Sequence, residues 1–114
     1  MALGREAGGR LSLNNMANRA VKQPNGKYAQ FSDVVDHFTY VNCSREELWA
    51  IYRDEFGAGI ATAKLDRADA SPERFSEEIA TIRFRHGDAE ADATAAYLSC
   101  TDGSALAPPS LREN

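Results

Sequence analysis

The sequence predicts a small α+β fold, a single domain in which an N-terminal β-hairpin packs on about three α-helices. Three observations point to it. Pro24-Asn25-Gly26 stands between two short, partly alternating segments, and Asn-Gly tolerates the positive φ angles that a tight hairpin needs. Ser44 to Gly57 combines a helix start signal, the only Trp and a dense apolar face. The 114 residues suffice for one buried core and are too few for two independent ones.

Residues 1–15 are rich in Gly and lack a sustained apolar period, so they read as a flexible arm before a globular domain at residues 16–100. Either Met1 or Met16 can serve as the natural start. Asn18–Gln23 and Lys27–Phe31 form the two strands of the hairpin. Val21 and Phe31 must face a helix, because an isolated hairpin is marginal. Ser32 offers a helix cap, Asp33 suits the positive helix end, and Val34, Val35 and Phe38 share a face. A helical turn is therefore expected over residues 33–38, with Thr39–Asn42 as the connection onward.

Ser44 is the N-cap of the central helix, and Glu47 completes a capping box. At about 100° per residue, Leu48, Trp49, Ile51, Tyr52 and Phe56 fall on one broad arc, opposite Glu46, Glu47, Arg53 and Asp54. Gly57 and Gly59 weaken helix by roughly 1 kcal/mol each relative to Ala. Ile60, Ala61, Ala63 and Leu65 keep the period, so the helix either resumes or continues with a bend to about Arg67.

Ser71-Pro72-Glu73 signals the next start. Phe75, Ile79, Ile82 and His86 form its apolar stripe, and Arg83 to Gly87 its stop. Phe84 conflicts with this helix because it falls on the opposite face. Residues 79–86 also alternate as a strand would, and the flanking caps favour helix. Asp88 caps a last Ala-rich helix, Ala89–Cys100. Residues 101–114 read as a flexible tail.

The net charge is −4, unevenly spread. Residues 1–28 carry Arg5, Arg10, Arg19, Lys22 and Lys27 against Glu6 alone, while the rest holds 8 basic and 16 acidic side chains. An acidic body repels phosphates, which argues against direct nucleic-acid binding. No apolar run approaches the ~20 residues of a membrane span, and no signal-peptide core follows Met1. The cytoplasm is the expected compartment. Cys43 and Cys100 are too few for a disulfide framework, so reduced thiols are expected.

Candidate chemistry is sparse. His37, Cys43, His86 and Cys100 have the residue types of a zinc site, without its paired close spacing. Cys43 at a helix start could be an activated thiol, yet reads better as an apolar group in a hydrophobic staple. Asp33 with Asp36, Asp54 with Glu55 and Glu77 with Glu78 are carboxylate pairs at spacings typical of a solvated helix face. Phosphate-loop, dinucleotide, nucleophile-elbow and zinc-protease motifs are absent. The expectation is a protein that is not an enzyme, with no catalytic residues, cofactor or metal.

The sequence points instead to binding chemistry. Asp66, Asp69, Glu73, Glu77 and Glu78 are expected to be solvated and to form a single-sign field that meets a basic protein. Trp49 and Arg53, at the edge of the central helix, are residue types enriched at interface hot spots.

Gln23 to Thr39 (Gln-Pro-Asn-Gly-Lys-Tyr-Ala-Gln-Phe-Ser-Asp-Val-Val-Asp-His-Phe-Thr), followed by Ser44-Arg45-Glu46-Glu47, resembles small uncharacterised proteins encoded by phages and prophages. The similarity spans about residues 16–57. It implies a small accessory protein that binds a host factor, which the acidic surface leads us to expect is basic, inhibition of a host defence system being one such role. The leading expectation is thus a non-catalytic protein-binding protein, monomeric or homodimeric. The alternatives are a homodimeric structural or assembly component and, as a minor one, a small metal- or thiol-dependent enzyme.

Overall fold

Around the Asn25-Gly26 turn the chain forms two antiparallel strands, β1 (Asn18–Lys22) and β2 (Tyr28–Ser32), with Lys22 opposite Tyr28 and Asn18 opposite Ser32. Gly26 takes the positive φ of 90° that the sequence anticipates, and Asn25 Oδ1 accepts from the Lys27 amide. The computed structural model describes residues 18–102 together with Ala107, Pro108 and Leu111, so the expected arm lies outside the described residues.

A third strand replaces the helical turn expected after Ser32. Residues 33–36 are a tight turn in which Ser32 Oγ accepts from the Val34 amide and Asp36 has a φ of 53°. Ser32 therefore caps a turn, and His37–Cys43 returns as β3, antiparallel to β2, with Phe31 opposite Phe38. Those two rings meet edge to face at 5.3 Å, a cross-strand pair that supports the sheet. The β2–β3 register shifts around Gln30, and the sheet order is β1-β2-β3.

Four helices follow: α1 (Arg45–Phe56), α2 (Ala58–Ala70), α3 (Arg74–His86) and α4 (Asp88–Ser99). The Ser44–Glu47 capping box is present in both halves, Ser44 Oγ accepting from the Glu47 amide at 3.0 Å and Glu47 Oε1 from the Ser44 amide at 2.7 Å. Gly57, with φ 96°, ends α1 and opens α2, so the chain turns a corner there and starts a separate helix. Gly87 does the same between α3 and α4 with φ 98°. Residues 79–86 are helical, and α3 begins at Arg74, after a turn through Pro72 and Glu73.

Alternation along the strands sends side chains to both faces of the sheet, and each face carries one helix pair. Val21, Ala29, Phe31 and Phe38 pack with Phe75, Ile79 and Ile82 of α3 and with Ala91 and Leu98 of α4. Ala20 and Tyr28 point the other way and pack with Leu48 and Tyr52 of α1 and Ala61, Leu65 and Ala68 of α2. The fold is α+β, with the sheet as the middle layer. Leu111, from the segment expected as a tail, is buried in the α3/α4 core.

One polar network joins the two ends of this assembly. Gln23, 2% exposed, donates from Nε2 to Asn25, to Asn42 and to the Leu98 carbonyl, and its Oε1 accepts from the Asn42 amide at 2.7 Å. Asn25 donates to the Cys100 carbonyl at 3.0 Å. The first turn of the sheet is thereby tied to the end of the last helix.

Candidate functional site

The sequence of α3 sets two opposite faces. Phe75, Ile79 and Ile82 point at the sheet, and Glu73, Glu77, Ala80 and Phe84, within about 60° of one another at 100° per residue, point at solvent. The period conflict at Phe84 is therefore real: its ring is 83% exposed on the outer face of a well-packed helix.

The five expected acids divide by environment. Glu78 was expected to be solvated and is instead buried, 4% exposed, with Arg19 Nε donating to its Oε2 at 2.8 Å. One residue of helix rotation separates it from Glu77 and swings it onto the flank that meets β1. Arg19 also grips Asp33 with both terminal nitrogens, at 2.7 and 2.9 Å, and lies 5.5 Å from the Phe31 ring centroid. The Asp33 hydrogen bonds, ahead of Glu78, hold its guanidinium above its ordinary pKa against the opposing effect of burial.

Asp66 and Asp69 remain exposed, but Arg45 bridges them at 2.9 and 3.0 Å. Asp69 also accepts from the Tyr28 hydroxyl, and that bond, with Arg45 next, holds its carboxyl below the usual carboxylate range. These two acids fasten α2 to the start of α1 and to β2. Glu73 and Glu77 alone of the five have no ion-pair partner among the described residues.

Trp49 and Arg53 stand on α1. Trp49 is half-buried, its Nε1–H donating to Thr62 Oγ1 at 3.0 Å, and the Arg53 guanidinium lies 5.4 Å from the ring centroid while pairing with Asp54. An open depression of about 220 Å³ beside it is lined by Arg45, Glu46 and Trp49. The indole's polar edge is satisfied within the chain, so this edge offers mainly a cation-covered aromatic surface.

The zinc and thiol candidates are directed to different partners. His37 Nε2 meets Glu90 Oε2 at 2.7 Å and its Nδ1 accepts from the Phe38 amide, which leaves Nε2 as the donor of the neutral ring. His86 reaches the Val35 carbonyl, Cys43 Sγ that of Val41, and Cys100 Sγ the Asp102 carboxylate. Among the described residues no group of three or more His, Cys, Asp or Glu side chains is placed to hold a metal ion. Burial, with Glu47 second, pushes the Cys43 thiol up, away from the thiolate a nucleophile requires.

Sequence reasoning missed the β2–β3 turn as a surface feature. Val34 and Val35 are 80% and 50% exposed, because they occupy the tip of a hairpin. The tip is anchored to the end of α3 by the His86–Val35 contact and by Arg85 on Asp36 at 3.1 Å, and the Arg85 guanidinium lies 5.7 Å from the Phe84 ring centroid. Next to the outer face of α3, a groove of about 270 Å³ opens between α3 and α4, lined by Phe75, Ser76, Ile79, Ala80, Arg83 and Ala95. The acids and the exposed aromatic thus share one line along α3, and the groove opens about 100° around the helix from it, on the flank that faces α4.

Comparison with protein-family models, with curated proteins and with solved structures finds no match. Among the described residues no helix is long and apolar enough to cross a membrane.

Proposed function

We propose that the chain is a non-catalytic protein-binding domain that meets cationic groups of a protein partner with the outer face of α3. The observation that carries this reading is Phe84, an 83% exposed aromatic in line with two unneutralised carboxylates, Glu73 and Glu77. A ring held in water on a rigid helix is unfavourable for the isolated chain and suits an anchor that fills a partner's pocket. Acids beside it accelerate encounter with a basic surface and fix orientation. The resemblance of residues 16–57 to phage and prophage proteins supplies the setting, an accessory protein in the cytoplasm acting on a basic host factor, a defence component among the candidates.

A photo-reactive amino acid at position 84, with position 27 as the exposed control, tests this in living cells. A protein adduct is expected from position 84 alone, diminished by Glu73→Lys with Glu77→Lys and by high salt. Equal adducts from both positions, or adducts indifferent to salt and to the charge reversal, would overturn the proposal.

A further inference from the structure

Beyond α4 the chain returns to the α3/α4 side of the sheet. Ala107 is half-buried against the apolar cluster there, Pro108 is buried, and Leu111 is a member of the cluster with 6% of its surface exposed. The Leu111 amide donates to the Pro108 carbonyl at 2.9 Å, closing a single turn that delivers the leucine to the core. The sequence of this segment, Ala107-Pro108-Pro109-Ser110-Leu111, carries no charge. Its two prolines have no amide donor, and they narrow the conformations open to the segment when it is free.

The segment is held differently from the helices it covers. α3 sets Phe75, Ile79 and Ile82 in the core and carries its own hydrogen-bond ladder. Of the described residues, the segment sets one leucine and one proline there, with Ala107 at the margin. That gain is of the same order as the entropy lost in ordering the residues that lead to it. Opening is therefore a local event that leaves the sheet and helices intact. An empty seat exposes apolar side chains to water, and a leucine from elsewhere relieves that exposure.

We propose that residues 107–111 form a displaceable strap, and that its seat on the α3/α4 pair is a second docking site, for an uncharged partner-protein segment that presents a leucine on a proline-stiffened turn. The strap itself argues for this occupant, because the seat is filled and its filling defines the chemistry it accepts. The site goes beyond the outer line of Glu73, Glu77 and Phe84 and does not depend on it. In cis the strap is a competitor tethered at high effective concentration, so it sets the affinity that a partner must exceed.

A fluorescent synthetic peptide with the sequence of residues 105–114, titrated by anisotropy with the full chain, tests this. Leu111→Asp is expected to release the strap and to bind the peptide saturably, about tenfold more tightly than the wild type does, as a strap closed about nine-tenths of the time requires. The same peptide carrying Leu111→Asp should bind neither chain. The wild-type peptide should also raise the thermal midpoint of the Leu111→Asp chain more than that of the wild type. Circular dichroism verifies folding, and Leu111→Ala, a milder change, repeats the titration. Equal affinity for strapped and released chains, no saturable binding to a folded variant, or binding of the leucine-free peptide overturns the proposal. Failure of both variants to fold would make Leu111 an obligatory part of the core and overturn it equally. A wild-type dimer abolished by Leu111→Asp would make a second copy the occupant and refute the assignment to a partner protein.

Discussion

Glu77 and Glu78 are adjacent in sequence and opposite in circumstance. Glu77 projects into water, and Glu78 lies against Arg19 with 4% of its surface exposed. Glu78→Ala removes a charge-assisted hydrogen bond and leaves the half-buried Arg19 held by Asp33, so it should cost about 1.5–3 kcal/mol. Glu73→Lys and Glu77→Lys should each stay within about 0.5 kcal/mol in the same urea titration. No local signal marks Glu78, since its partner is 59 residues away in the chain. Phe84 was legible only as a contradiction in the period, the form in which an exposed anchor enters a sequence. Lys64 is a second residue with a measurable signature. Its Nζ donates to the Asn18 carbonyl at 2.7 Å and lies 5.0 Å from the Tyr52 ring centroid, yet burial outweighs these contacts and lowers its pKa from 10.5 to about 8. Between pH 8 and 10.5 the unfolded chain therefore binds the Lys64 proton and the folded one releases it, so stability from this residue rises with pH across that window. Relative to Lys64→Met, the wild-type denaturation midpoint should climb from pH 8 to 10. A constant or falling difference would show that the amine stays charged in the fold.

At the level of elements, the legible parts were those specified by neighbours in sequence. The Asn25-Gly26 turn and the Ser44–Glu47 box are each written within four residues, and both are present. β3 was not legible because its support is remote: Phe38 packs on Phe31 across the strands, and the Asp36 φ of 53° lies outside the helical region. Val34, Val35 and Phe38 imitate a helix face, but the two valines sit at a turn that happens to fit the same spacing. Gly57 shows the converse, a local residue whose consequence is architectural. Without a β-carbon it holds φ 96°, so α1 stops and α2 starts within one residue, and both helices reach the same face of the sheet. Ala at position 57 meets no steric neighbour but must adopt φ 96° with ψ 161°, a region essentially confined to glycine that costs about 1–3 kcal/mol. Gly57→Ala should therefore lower the urea midpoint, whereas Gly59→Ala, inside α2 with ordinary φ, should raise it through about 0.5–1 kcal/mol of added stability. If the two changes act alike, the corner is not conformationally strained in the way Gly57 implies.

For the whole molecule, a sheet between two helix pairs gives each face its own apolar cluster, and nothing in the strand sequence states which helices go where. Alternation shows that both faces are apolar; assigning α1 and α2 to one and α3 and α4 to the other requires the corners at Gly57 and Gly87. The shared sheet joins the two halves, and the Gln23 network ties that sheet to the far end of the α3/α4 pair. Its hydrogen bonds span 75 residues, from the first turn of the sheet to the Leu98 and Cys100 carbonyls. Pulling α4 away strips acceptors from Gln23 and Asn25, and Gln23 in turn holds the Asn42 amide of β3. The β1–β2 turn, the end of β3 and the end of α4 are thus laced together, and a shared opening is expected of them. In hydrogen-exchange measurements, the Asn42 amide and the amides at the end of α4 should exchange through one shared opening in the wild type. Gln23→Ala should split them into two populations with different rates, the α4 end exchanging first. Should the two regions already exchange independently in the wild type, the lacing would be too weak to couple the motions of the first turn and the last helix.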